Sequence, residues 1–270
     1  MARQWVTDEL WDEIEPLLPP EPPKPKGGRP RIPDRRCLMG ILFVLRTGCI
    51  WNDLPAELGC GDGTTCWRRF HAWTEAGLWP AVWQRVLAAL GRKGRVDLSR
   101  ALVDSSSMRA VFGGRNTGPN PTDRRKNGCK RPLVTDAGGL PLTVLTTPAN
   151  VPDGKVAIDL LDAILPVQGP RGRPRFRPEI YQGDRAYGWE DNIRATRERG
   201  IRPLLARPMD DTHGSGLGKT RHFIETTLSW FNNHRRIRLC YERSDHSFLA
   251  FNQLAAILIC HKKLVDLDSS

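Results

Sequence analysis

Three acidic residues stand in three different contexts. Asp104 closes the apolar run Ala101-Leu102-Val103, Asp184 closes Ile180-Tyr181-Gln182-Gly183, and Glu225 ends the stretch Arg221-His222-Phe223-Ile224-Glu225. Two carboxylates at strand ends and a third on a helix form a donor set for hard divalent cations, which take oxygen ligands and share substrate phosphate oxygens. Two such ions about 4 Å apart activate an attacking oxygen and stabilise a leaving one, as phosphodiester chemistry requires. Each acid also has a plainer reading. Asp104, followed by Ser105-Ser106-Ser107, could simply cap or turn the chain. Asp184 repeats the arrangement before Arg185-Ala186-Tyr187-Gly188, and a sheet could bring the two together, since neighbouring strands lie about 4.8 Å apart. Glu225 is flanked by Phe223, Ile224, Leu228 and Phe231, so partial burial is expected, and an unpartnered buried charge is costly. Metal ions would satisfy it. So would Arg221, four residues earlier on the same helical face.

From Val96 onward the chain supplies elements to position these acids. Strands are predicted at 101–103, 133–135 and within 140–147, the last two forming a hairpin across Gly138-Gly139. A helix over about 154–165 follows, then a strand at 179–182, a helix near 190–199 ended by Gly200, and a strand at 201–205. Helices over about 221–232 and 248–260 complete the series. Strands mixed with crossover helices predict an α/β domain over 96–270, a mixed sheet covered on both faces. Ligand sites in such sheets gather at the carboxyl ends of strands.

Residues 1–95 read as a helical region. Thr7 caps a first helix carrying Leu10, Ile14, Leu17 and Leu18. Seven prolines among residues 19–33 then make a basic linker. Further helices are predicted over 35–46, from a cap at Thr64 or Thr65 through Trp67, Phe70 and Trp73, and over 80–90. A helix, a turn and a helix bearing Arg68, Arg69 and His71 opposite its aromatic side fit a helix-turn-helix DNA reader. An ordinary bundle with a basic solvent face fits equally well.

Lys and Arg outnumber Asp and Glu by 41 to 30, a formal charge of +11 with a pI near 9.7. A polyanionic partner follows, nucleic acid first, because basic side chains that neutralise phosphates release counterions. No apolar run approaches the roughly 20 residues that span a bilayer, and the N-terminus lacks a signal-peptide pattern. A cytoplasmic chain with no membrane partner is therefore expected. The seven cysteines include no Cys-x-x-Cys pair, which favours reduced thiols over disulfides or zinc. Arg171-Gly172-Arg173-Pro174-Arg175 reads either as a flexible loop on phosphates or as an extended segment for an A·T-rich minor groove.

A set of ordered motifs adds to this reading. They are Gly27-Gly28-Arg29-Pro30, Leu45-Arg46-Thr47-Gly48, Trp51-Asn52-Asp53-Leu54-Pro55, Arg68-Arg69-Phe70, Val103 to Ala110, Thr135-Asp136 with Gly139-Leu140-Pro141-Leu142, Asp184-Arg185-Ala186-Tyr187, Leu217 to Arg221, and Arg235-Arg236 with Tyr241-Glu242-Arg243. Together they resemble bacterial DDE-type insertion-sequence transposases of the insertion-sequence-five superfamily, from Leu10 to about Leu264. The resemblance implies a ribonuclease-H-like catalytic domain in which Asp104, Asp184 and Glu225 bind two Mg²⁺ or Mn²⁺ ions. It matches Tyr187 and Arg221 to family positions, and Arg68, Arg69, Arg221, Arg235 and Arg236 become candidates for DNA contact. It implies cleavage of element ends to a 3′-hydroxyl, which then attacks target DNA without a covalent enzyme intermediate. Its partners would be double-stranded DNA, as terminal inverted repeats and target, and further copies of the chain on that DNA. The acids lie 80 and 41 residues apart, and the second gap leaves no room for a large insertion. Departures occur at Pro132, His222, Thr226-Thr227 and Asn232, the last where relatives carry Lys or Arg. They leave open an alternative, a decayed protein that only binds DNA.

Overall fold

A computed structural model describes residues 5–21, 23, 25, 30–207 and 217–268. Gly27-Gly28-Arg29 lies outside the described residues. The chain begins with α1 (Asp8–Ile14), where the Thr7 hydroxyl accepts from the Leu10 amide at 3.3 Å, the expected cap. Helices α2 (Asp34–Thr47), α3 (Gly63–Glu75) and α4 (Leu78–Arg92) follow. The cap of α3 is Asp62 and not either threonine: its carboxylate accepts from the Thr65 amide at 2.6 Å. Residues 48–62, with two 3₁₀ turns, separate α2 from α3, far more than the 3–4-residue turn that joins a helix-turn-helix. Only Ala76 and Gly77 separate α3 from α4, and Gly77 supplies the left-handed backbone of that tight corner, at φ +70°.

Strands β1 (Ala101–Arg109), β2 (Gly118–Pro119), β3 (Asn127–Asp136), β4 (Pro141–Val144), β5 (Thr147–Pro148), β6 (Ile180–Gly183) and β7 (Arg202–Leu205) form one mixed sheet. At its centre β1 pairs antiparallel with β3 over its whole length and parallel with β6, which pairs parallel with β7. A 3₁₀ turn (Asp153–Val156) leads into α5 (Ala157–Asp162), and α6 (Glu190–Glu198) joins β6 to β7. The chain ends with α7 (Arg221–Asn232), α8 (Arg235–Arg238) and α9 (Asp245–Asp268). Alternation along β1 sends Ala101, Val103 and Ser105 to one face and Leu102, Asp104 and Ser106 to the other. Tyr181, level with Ala101, donates its hydroxyl to the Ala157 carbonyl of α5 at 2.9 Å. Gln182, level with Leu102, accepts from the Thr220 hydroxyl at the head of α7 at 3.1 Å. Helices therefore cover both faces, as expected.

The largest difference from the sequence reading lies in β1. It continues through Ser105-Ser106-Ser107 to Arg109, so Asp104 stands inside a strand and not at its end. Small hydroxyl residues read as loop in isolation, yet β3 supplies a ladder partner for each, with Ser105, Ser106 and Ser107 opposite Pro132, Arg131 and Lys130.

Helix α9 is long and apolar enough to cross a membrane by length and composition, with mean hydropathy 1.3 over Asp245–Asp266. It is instead a core helix, with 67% of that window buried in protein. Phe251 is fully buried on it and stacks on Phe70 of α3 at 4.3 Å and on Trp51 at 6.0 Å. The N-terminal helices and the sheet thus share one hydrophobic core. All seven cysteines are free thiols. Replacing Phe251→Ala empties the meeting point of these layers and is expected to cost about 3–5 kcal/mol, read as a lower urea midpoint. A loss below about 1 kcal/mol would mean the two parts are stable without this contact.

Candidate active site

The parallel register of β1 and β6 decides where two of the acids go. Ala101 pairs with Tyr181 and Leu102 with Gln182, a constant offset of 80 residues that also separates Asp104 from Asp184. Carried two residues further, the register sets both carboxylates level on neighbouring strands, facing the side covered by α7. Their electrostatics agree with that closeness. Asp104 is half-buried and its pKa is pushed up to about 6, chiefly by burial, with the Asp184 and Asp153 charges adding to the rise. The Ser105 amide, donating to Asp104 Oδ1 at 2.7 Å, and the Arg221 guanidinium pull the other way. Asp184 Oδ1 accepts from the Ala186 amide at 2.9 Å, so the loop after β6 closes on its own aspartate.

Glu225 differs from expectation. It is 54% exposed at the side chain and accepts from Arg221 Nε at 2.7 Å. The apolar neighbours that predicted burial turn inward, with Ile224, Leu228 and Phe231 in the core, and leave the carboxylate on the opposite stripe of α7. A half-exposed pair one helical turn apart contributes only about 0.3–0.5 kcal/mol, so little holds Glu225 in this position. Arg221 reaches both Glu225 and the field of Asp104, which sets the head of α7 beside the aspartates.

The far end of α7 is fixed by Arg131 of β3, which is fully buried. Its guanidinium donates to Asn232 Oδ1 at 2.9 Å, Ser106 Oγ at 3.1 Å and Asn252 Oδ1 at 3.2 Å, and lies 4.8 Å from the Phe231 ring centre. Asn232 therefore serves as an acceptor for a basic residue that approaches from the sheet.

The other arginines divide by burial. Arg69, expected on the DNA face, is 6% exposed, paired with Asp34 and bonded to the Ile32 carbonyl at 3.4 Å. Arg236 is 5% exposed and donates to Glu242 at 2.8 Å and to the Cys49 carbonyl at 3.2 Å. Both brace the core and do not face solvent. Neighbouring residues on a helix point about 100° apart, so one of each pair can lie on the buried stripe while the other faces out. Arg68 and Arg235 are exposed. The Arg171–Arg175 stretch is closed by two hydrogen bonds between Val167 and Arg175, of 2.7 and 2.8 Å. It precedes β6, so it lies at the end of the sheet away from Asp184. Asp153 has no motif to announce it, yet it enters the electrostatics of Asp104. Only the fold brings it there.

The donor chemistry fits a divalent cation at Asp104 and Asp184, where like charges share a half-buried site and a cation would relieve both. Among the described residues no group of three His, Cys, Asp or Glu side chains is gathered to hold a metal. The raised pKa has a consequence for the metal-free protein. Neutral Asp104 supports the fold fully below about pH 4, and that support is lost as pH rises through about 6. In chelator at pH 8, Asp104→Asn should unfold later than wild type by about 1–3 kcal/mol, the difference vanishing near pH 4. Equal stability at both pH values would contradict a strained aspartate.

Comparison with known proteins gives this geometry a family. Residues 97–260, more than half of the chain, match the family described as "Transposase DDE domain", and residues 6–83 match "Putative transposase of IS4/5 family". A protein of Burkholderia cepacia described as "Putative transposase for insertion sequence element IS402" is 43% identical over 171 residues, covering 63% of this chain and 79% of that protein. An uncharacterized 16.2 kDa protein of the same insertion element is 51% identical over 123 residues, covering 45% of this chain and 84% of its own length. The uncharacterized protein y4sN of Sinorhizobium fredii is 34% identical over 105 residues, 39% of this chain and 76% of that one. No solved structure matches. With the family spanning residues 97–260 and Asp104 and Asp184 level on one sheet face, the chain belongs to the DDE transposases, metal-dependent enzymes of DNA transposition.

Proposed function

We propose that Asp104, Asp184 and Glu225 form the metal-binding triad, holding two Mg²⁺ or Mn²⁺ ions. The observation that carries this reading is the shared level of the two aspartates on β1 and β6, with the Glu225 helix docked over the same face. Divalent cations bound there would supply positive charge to the attacking and leaving oxygens of the scissile phosphodiester. Glu225 would join the aspartates by releasing Arg221, at little cost given their exposure. Arg221, so freed, and Arg235 would contact DNA phosphates. The strand order β4-β3-β1-β6-β7, with only β3 running against the rest, supports a ribonuclease-H-like fold for residues 96–270.

Residues 1–95 would serve to bind DNA, with exposed Arg68 on α3 as a contact. The long connection between α2 and α3 argues that any helix-turn-helix likeness is remote. The substrates would be terminal inverted repeats and target duplex in the cytoplasm, held by two or more copies of the chain, because two ends must react together. The comparisons do not indicate the alternative of a decayed, binding-only protein.

The test is Mg²⁺- or Mn²⁺-dependent cleavage and strand transfer on DNA carrying the element ends. Asp104→Asn, Asp184→Asn and Glu225→Gln should each lose roughly a hundredfold or more in cleavage, with end binding kept within about threefold. Cleavage by Asp184→Asn at the wild-type rate would sink the triad assignment. The Arg171–Arg175 hairpin is tested separately by mobility shift. The double change Arg173→Ala and Arg175→Ala should weaken binding to the same extent on A·T-rich and mixed duplexes, with a salt slope smaller by about 2. Loss confined to A·T-rich DNA would instead make it a minor-groove reader.

A further inference from the structure

We infer that Asp153 is a positioning residue for the two aspartates, acting through Ser105 on Asp104 and through the turn it opens on the loop after Asp184. This rests on the reading that Asp104 and Asp184 hold the divalent cation.

Ser105 faces the side of β1 opposite to Asp104, toward α5. Its hydroxyl donates to Asp153 Oδ1 at 2.9 Å, while its own amide donates to Asp104 Oδ1 at 2.7 Å. One residue thus donates a hydrogen bond to each carboxylate, and fixing its side chain fixes the peptide that orients Asp104. Asp153 is held in turn by Lys130 of β3, whose ammonium donates to Asp153 Oδ1 at 3.0 Å and to the Val151 carbonyl at 3.0 Å. The two side chains are only 20% and 13% exposed, so the pair is better shielded from water than the Arg221–Glu225 pair. A further carboxylate this near Asp104 would repel the aspartates unless its charge were offset, and Lys130 offsets it.

The same turn grips the other aspartate's loop. A Cβ at Gly154 would lie 2.7 Å from the Ala186 carbonyl oxygen and 2.6 Å from the Trp189 ring, so only glycine lets the turn press this close. Buried Asn192 donates to the Gly154 carbonyl at 2.8 Å and to the Tyr187 carbonyl at 3.0 Å, tying the turn to that loop. Ala186, on the same loop, is the residue whose amide holds Asp184 Oδ1. The Asp153-Gly154 turn is therefore wedged between the supports of both aspartates. Outer-shell partners of this kind orient ligands, and their loss typically weakens metal binding.

The experiment is calorimetric titration of Mn²⁺ into the DNA-free full chain, paired with the Mn²⁺ dependence of end cleavage. Asp153→Ala and Ser105→Ala should each weaken Mn²⁺ binding by about tenfold. The double variant should be no worse than either single change, because both remove one link. Asp153→Asn, which keeps an oxygen to accept from Ser105 and Lys130, should stay within about threefold of wild type. Should Asp153→Ala fail to fold, the milder Ser105→Ala carries the test. Asp104→Asn is the control and should abolish binding. If the control loses Mn²⁺ while Asp153→Ala and Ser105→Ala bind as wild type, the inference is overturned and the triad survives. If the control itself binds as wild type, the triad reading fails and takes the inference with it. An Asp153→Asn loss as large as that of Asp153→Ala would make the charge itself the requirement and overturn the positioning role.

Discussion

The parallel pairing of β1 with β6 is the constraint on which the rest of the site depends. Register in a sheet is all or none: a slip of one residue would turn Asp104 or Asp184 to the opposite face. The apolar residues just before the acids enforce it, because Ala101, Leu102, Val103 and Tyr181 are all buried. Hydrophobic burial thus sets the level of two charges that, by themselves, repel. Burial chiefly, and the Asp184 charge to a lesser degree, raise the pKa of Asp104, and a divalent cation bound there would relieve both.

Around this pair the protein uses charge in two ways. Buried cations serve the fold: Arg131 ties α7 and α9 to the sheet, Arg69 is sequestered by Asp34, and Arg236 by Glu242. Each of these would be costly if left unpaired. Exposed cations such as Arg68, Arg221 and Arg235 cost little to keep in water and remain able to meet phosphate. Because Arg69 and Arg236 are each paired with an acid, their burial leaves the positive excess unchanged and lowers only the number of arginines able to meet DNA.

The N-terminal helices are not a detached reader. Aromatic stacking of Trp51 and Phe70 on Phe251 makes α9 common to both regions. Helix α7, which carries Glu225, is pinned through Arg131 to Asn252 of that same α9. A continuous packed path thus runs from the helices bearing Arg68 to the helix bearing Glu225.

The sequence by itself determined the acids, the family likeness, the α/β character and most helices, because periodicity and caps are local properties. It also placed Asp104 and Asp184 after apolar runs whose separation equals the register offset. Other features depended on contacts between distant segments. Ser105-Ser106-Ser107 became strand only because β3 lay alongside, and Glu225 turned outward because α7 buries its other stripe. Arg69 and Arg236 went inside to meet Asp34 and Glu242. Asp153, in an undistinguished Pro-Asp-Gly turn, met Ser105 only through the fold, 48 residues apart in the chain. Residue type and spacing carry the local information; which face a side chain takes, and which charge it meets, is settled by long-range packing.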